Sequence, residues 1–411
     1  MEEEINPRQS HNINDLFNQR KYLKVCAPMV RYSKLQFRTL VRQYGCDLCF
    51  TPMILADSFC KSSHARQNEF TTNADDGPLI VQFAANTVHE FVGAAYMVAP
   101  FCDGIDLNCG CPQRWAKQMG LGCAMLDDPE VISNIIKECR NTIPKQFSVS
   151  VKMRILNDDK KTVDLCRQFE HAGASFLSVH ARTASQSTGD INRNVLKLIQ
   201  ESVRCPIVAN GGLTSLNECD ELALETGCKG VMVANSLLTN PMLFTGASKP
   251  TLNCVQKWIN ICYNSTVPMS SYSEVTEPKI SSRPLNLNFH CFHHHLVFML
   301  EKILPKYKRR VFNKLKEFDD VLAFLEAELL LKPQLYDVDT FRNSYNLTLD
   351  YKDTISVYTR LRDRNACNEA FVDESNEYNS EATDGSYFNK KLEQVNEDDV
   401  EEVYDWDSLY K

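Results

Sequence analysis

Short apolar runs of β type recur along the chain: YLKVCAPMV (22–30), CDLCFTPMI (46–54), PLIVQFA (78–84), GIDLNCG (104–110), FSVSVKMRI (147–155), FLSVHAR (176–182), CPIVANGG (205–212) and GVMVANS (230–236). Stretches of helical character such as PEVISNIIKECRNT and VDLCRQFEHAG separate them and end in Gly or polar turns. Eight strand–helix units in roughly 230 residues is the arithmetic of a (β/α)8 barrel, with a doubly wound sheet as the other arrangement. The barrel makes an extra demand. It places functional residues at the C-terminal end of nearly every strand.

Strand side chains alternate, so parity tests that demand. In FSVSVKMRI, Val149, Val151, Met153 and Ile155 share one face, and Ser150, Lys152 and Arg154 share the other. Asp106 and Asn108 oppose Ile105 and Leu107, and Gln82 opposes Val81 and Phe83. Ser178, His180 and Arg182 share a face, and Asn210 opposes Ala209. Any one of these alone is an ordinary capped strand end. As a set they put polar groups near the ends of five strands on the parity that faces a barrel's upper mouth, and buried Lys and Arg are rare without partners. After the seventh run comes NGG (210–212), and after the eighth ANS (234–236) followed by a helical stretch. Small residues there let backbone N–H groups approach an anion, and barrels bind phosphate after strands seven and eight.

Composition narrows the class. The chain has 411 residues and no apolar run long enough to span a bilayer. Its amino terminus, MEEEINPRQS, fits neither a secretory signal nor a transit peptide. The 17 cysteines lie scattered through apolar runs, which reads as reduced thiols in the cytoplasm or nucleus. From residue 369 onward there are 14 acidic and 3 basic side chains, so the net charge of −8 hides a weakly basic body with an acidic, disordered tail.

CAPMVRYS (26–33), VQFAAN (81–86), NCGCPQRW (108–115), VKMR (151–154), VHART (179–183) and VANGG (208–212) resemble, in order and spacing, the flavin-dependent tRNA-dihydrouridine synthases. CAPMVRYSK, LIVQFAAN and NCGCPQRWA are most similar to the eukaryotic subfamily acting at D-loop positions 20a and 20b. The resemblance covers residues 20–330 or so. It implies a TIM barrel holding FMN, an all-α helical domain clamping tRNA, and NADPH or NADH as electron donor. It further implies that Ala27, Pro28 and Met29 line the flavin and that Gln82, Lys152 and His180 bond its ring. Asn210, Gly211 and Gly212, with Ala234 and Asn235, would cradle the phosphate. Asn108, Arg154 and Arg182 are implied substrate contacts, and Cys111 the general acid.

The chemistry is consistent with this. Reducing the 5,6 double bond of uracil needs a hydride at C6 and a proton at C5, and a thiol near pKa ~8.5 is protonated at neutral pH yet able to release its proton. Lys152 would stabilise negative charge on the reduced flavin. Of the two thiols in NCGCP, Cys109 shares parity with Leu107 and reads as packing, while Gly110 and Pro112 put Cys111 in the turn above the barrel. CDLC (46–49) lies inside an apolar run and reads as core. Two departures from the family stand out. NGG replaces the usual NGD, and ANS replaces a stretch that normally contains Arg. A missing guanidinium would weaken FMN binding by ~1–3 kcal/mol.

Four parts are expected: an extension (1–19), the catalytic barrel (20–246), a helical tRNA-binding domain (247–332) with an inserted loop (268–286), and a C-terminal extension (333–411). KYKRRVFNKLK (306–316) is basic and aromatic, so Lys306, Lys308, Arg309 and Arg310 are candidate phosphate contacts to the tRNA D-loop and elbow. His290, His293, His294 and His295 read as packing or RNA contacts rather than metal ligands. The expected protein is a monomer that binds no DNA, membrane or metal and reduces a flipped D-loop uridine. Two other readings fit parts of the pattern: an FMN barrel reducing a free pyrimidine, and an RNA-binding protein whose phosphate site has decayed.

Overall fold

The computed structural model describes residues 9–143, 146–267, 269–276, 287–345, 349 and 358–363. Nine parallel strands form its sheet: β1 (Leu23–Cys26), β2 (Leu48–Phe50), β3 (Ile54–Leu55), β4 (Leu79–Ala84), β5 (Gly104–Cys109), β6 (Ser148–Arg154), β7 (Phe176–His180), β8 (Ile207–Asn210) and β9 (Gly230–Val233). β1 pairs with β9 through Leu23↔Gly230 to Cys26↔Val233 and with β2 on its other side, so the sheet closes into a barrel and is not doubly wound.

Nine strands make eight staves because β2 and β3 are one stave in two pieces. Both pair with β4, β2 through Cys49↔Leu79 and β3 through Ile54↔Phe83. The register slips by one residue between them, across Thr51, Pro52 and Met53. Pro52 has no N–H for the ladder, and the Thr51 hydroxyl accepts the Gln82 N–H there instead, at 3.0 Å.

The helices between strands pack their apolar faces on the barrel. The helix Pro129–Thr142, for example, buries Ile132, Ile135, Ile136 and Cys139, the spacing of one helical face. The floor of the barrel is closed from an unexpected source. The helix Ile13–Gln19, capped by Asn12, buries Ile13 and Phe17, and Phe17 meets Phe176 of β7 at 5.4 Å between ring centroids. Part of the expected extension is therefore barrel core.

Beyond residue 250 the described chain is helical: Leu252–Asn264, Phe289–Leu300, Lys306–Phe312, Phe318–Leu329 and Val338–Tyr345. Residues 334–336 strap back along the first of these, with Gln334 and Tyr336 N–H groups donating to the side-chain oxygens of Asn260 and Asn264. Within the expected inserted loop, Tyr272 stacks on Phe341 at 3.5 Å, and residues 277–286 lie outside the described residues. So does the acidic tail from 369. Among the described residues no helix is long and apolar enough to cross a membrane.

Candidate active site

The carboxyl ends of the staves open on one cavity of about 460 Å³. Every barrel residue expected to touch cofactor or substrate lines it: Ala27, Pro28 and Met29 after β1, Gln82 on β4, Asn108 and Cys111, Lys152 and Arg154 on β6, His180 and Arg182, the 210–212 turn, and Ala234 with Asn235. Asp106, Ser150 and Ser178, on the same parity, lie fully buried below it. Parity is the cause, since these positions alternate with fully buried Val81, Leu107, Val151 and Val179.

A hydrogen-bond chain crosses three adjacent strands beneath the cavity. The Ser150 hydroxyl donates to Asp106 Oδ1 at 2.6 Å, and Gln82 Nε2 donates to Asp106 Oδ2 at 2.8 Å. Asn108 Nδ2 then donates to Gln82 Oε1 at 2.9 Å. This leaves Asn108 Oδ1 to accept the backbone N–H groups of Gly110 and Cys111, at 3.2 and 3.0 Å. The carboxylate accepts only, so it fixes which way each amide points, and the last amide holds the Cys111 turn. Cys109 is fully buried in the main core. Cys111 is partly exposed and packs on a small cluster with Met53, Ala116 and Leu121.

Electrostatics at the mouth are one-sided. Burial, with Arg154 beside it, lowers Lys152 to about 8. Burial and then Lys152, Arg154 and Arg182 hold His180 down to about 2, so its imidazole is neutral. Burial raises the Cys111 thiol above its ordinary value, and it pushes the Asp106 carboxyl up to about 6 against its hydrogen bonds. The cavity therefore presents a protonated thiol, a neutral imidazole and clustered cations, an arrangement suited to an electron-rich, anionic guest.

Arg154 is less free than the sequence suggests. Its Nε donates to Gly110 O, and its Nη1 to Thr183 O and Gln186 O, so it ties the turn after β5 to the loop after β7. Arg182 donates to Gly189 O and lies against the NGG turn. Gly212 has φ of +61°, and a Cβ there would sit 2.7 Å from Arg182 Nη2. A guanidinium therefore stands against the 210–212 turn, reaching in from the loop after β7. Gly211, with φ of +145°, leaves equally little room, since its Cβ would fall 2.5 Å from Ile191 Cγ2.

These residues fit a flavin mononucleotide. His180 Nε2 is buried without a hydrogen-bond partner among the described residues. Apolar Met29, Met232 and Val233 offer a ring-sized wall, and two positive-φ glycines beside Arg182 offer a phosphate cradle.

Sequence reasoning missed Arg31, Met53, Trp115 and Met232, which also line the cavity. The first three lie in or beside the quoted motifs, but nothing in strand parity points to turn residues. The basic segment lies elsewhere, on the helix Lys306–Phe312. There Lys308 is ion-paired with Glu328, and Arg309 lies 3.9 Å from Glu301, so of the four only Lys306 and Arg310 stand exposed without an ion-pair partner among the described residues. Two of the histidines are packing residues: His293 Nε2 donates to Phe312 O at 2.9 Å, and His295 is wedged between Phe37 and Trp258, each at 4.5 Å.

A parallel barrel with a cationic, flavin-sized cavity and a thiol in the turn above it defines a class of barrel oxidoreductase sites. The dihydrouridine synthase model matches residues 25–331, and the chain belongs to the dihydrouridine synthase family. It is 45% identical over 312 residues to a Mus musculus protein named "tRNA-dihydrouridine(20a/20b) synthase [NAD(P)+]-like", covering 76% of this chain and 90% of that one. It is 44% identical to a Homo sapiens protein of the same name, covering 76% and 92%. A Schizosaccharomyces pombe protein named "tRNA-dihydrouridine(20a/20b) synthase [NAD(P)+]" is 38% identical over 309 residues, covering 75% and 88%.

Proposed function

We propose that this protein is an FMN- and NAD(P)H-dependent tRNA-dihydrouridine synthase acting on D-loop uridines 20a and 20b. The observation that carries the reading is the Cys111 turn. A thiol kept protonated by burial stands over a cavity whose Lys152, His180 and glycine cradle suit a flavin. The names of the similar proteins support the substrate and the positions.

Lys152, His180 and the 210–212 turn would hold FMN, which, reduced by NADPH or NADH, would supply the hydride needed at C6 of the uracil. Cys111 gives its S–H proton to C5, and the thiolate left behind recovers a proton from solvent. Asn108, oriented by Gln82 and Asp106, keeps the Cys111 turn in place while its second amide hydrogen remains for the base. Lys152 would place its positive charge beside a bound flavin, and neutral His180 would offer it Nε2 as a hydrogen-bonding partner. Arg182 supplies the charge at the phosphate end that the ANS segment lacks. Arg182 standing beside Gly212 argues against a decayed phosphate pocket, and the exposed Lys306 and Arg310 argue against a free pyrimidine as substrate.

Unmodified tRNA incubated with the protein, FMN and NADPH tests the reading. Position-mapped mass spectrometry should find dihydrouridine at 20a and 20b, with none formed from free uracil or orotate. Cys111→Ala should keep its flavin and the reduction of that flavin by NADPH while losing product by at least ~100-fold, the range of general acid catalysis. Full product from that variant overturns the assignment of the acid. A wild-type protein that binds tRNA yet makes no product overturns the function.

A further inference from the structure

We infer that Arg31 grips the phosphodiester beside the target nucleotide, held at the cavity mouth by the helical segment packed behind it. This inference rests on the reading of the substrate as RNA. Among the described residues only Arg31 and Leu330 combine a side chain with a positive φ, +71° and +57°. Leu330 is explained, because it ends the helix Phe318–Leu329 in a left-handed cap. Arg31 ends no helix. A side chain in that region is strained, and such strain persists only where surrounding contacts enforce it.

The enforcing contacts come from two directions. Within the turn, the N–H groups of Tyr32 and Ser33 both donate to Met29 O at 3.0 Å. From the helix Phe289–Leu300, the Cys291 thiol donates to Arg31 O and His295 Nε2 donates to Tyr32 O, each at 3.2 Å. The Tyr32 hydroxyl also pairs with His294 Nδ1 at 3.2 Å. Three side chains of one helix therefore fasten two consecutive residues of the turn after β1.

The guanidinium so presented is exposed, lines the cavity, and makes no hydrogen bond or ion pair with any described residue. Its neighbour Val30 packs on the same small apolar cluster as Cys111 and Trp115, which sets Arg31 on the proton-donor side of the mouth. A nucleotide that sends its base into the cavity leaves its phosphates at the rim. A free guanidinium there matches a phosphate in charge and bidentate geometry. Glycine would relieve the backbone at this position but would carry no charge to the rim.

The test uses the full-length, flavin-loaded protein and unmodified tRNA. Arg31→Ala should raise KM for tRNA by about tenfold, the equivalent of one charge-assisted contact, with kcat changed by less than about twofold. Its binding should lose about 0.7–0.9 from the slope of log K against log salt, the signature of one phosphate contact. Arg31→Lys should recover most of the affinity, and Arg31→Gly should bind as poorly as Arg31→Ala despite its relaxed backbone. An unchanged KM and salt slope in Arg31→Ala overturns the inference, as does full affinity in Arg31→Gly or loss of flavin from either variant. Failure of the wild-type protein to make dihydrouridine would instead strike the function, and the salt slopes of RNA binding would still decide the role of Arg31.

Discussion

Burial acts in opposite directions on the two groups that matter most in the cavity. It keeps the Cys111 thiol protonated and makes the Lys152 ammonium easier to lose, because both shifts favour the neutral form. Lys152 is then the first to fail as pH rises. Its positive charge is present below about 8 and disappears above it. The kcat/KM of product formation should therefore fall on the alkaline side with an apparent pKa near 8, before Cys111 loses its own proton. Lys152→Met should lower the neutral-pH rate and abolish that limb, leaving only a later decline from the thiol. A limb that stays near 8 in Lys152→Met would assign it to another group. At this scale the sequence was informative wherever strand parity applied, which covers Gln82, Asn108, Lys152, Arg154 and His180. It was silent on Arg31, whose conformation is imposed by Cys291 and His295 some 260 positions away.

At the scale of elements, the site is a property of β4, β5 and β6 acting together. Asp106 sits between Gln82 and Ser150 because those residues are register partners, Gln82↔Asp106 and Asp106↔Ser150. Its polar bonds therefore cross strands rather than run along one. Asp106→Asn can keep the chain: its oxygen accepts from Gln82, its amide donates to Ser150, and that hydroxyl turns to Ile105 O, already 3.4 Å away. Asp106→Leu cannot: the Ser150 hydroxyl still reaches Ile105 O, but Gln82 Nε2 loses its acceptor, at a cost of about 1–3 kcal/mol. We expect Asp106→Asn to retain product formation within a few-fold. Asp106→Leu should lose most of its kcat with a little-changed KM for tRNA and a lower melting temperature. Equal kcat in the two variants would show that the amide orientations do not govern the Cys111 turn. The eight strand positions were legible because each is a compact apolar run between turns. The split of the second stave was not, since CDLCFTPMI reads as one run until Pro52 meets its partner strand. The floor helix Ile13–Gln19 was equally hidden, being only seven residues long and recognisable as core only by what it covers.

For the whole molecule, the helical segment has two duties: it braces the turn after β1 and it carries the separate basic helix Lys306–Phe312. Counting charges along KYKRRVFNKLK overstates that helix as an RNA surface, because Glu328 and Glu301 approach from neighbouring elements that the local sequence does not reveal. Exposed Lys306 and Arg310, with Tyr307 65% exposed between them, form the free part. Replacing Lys306 and Arg310 together by Ala should weaken tRNA binding to a similar degree for every tRNA tested. It should also reduce the salt slope by roughly 1.4–1.8, the loss of two phosphate contacts. Glu328→Gln should act the other way, releasing Lys308 for RNA, tightening binding and steepening the slope. Salt-dependent binding curves for the three proteins check both. If Glu328→Gln binds no better and the double variant binds no worse, the helix lies off the RNA path and affinity must come from the rim of the barrel, where Arg31 and the cavity cations stand.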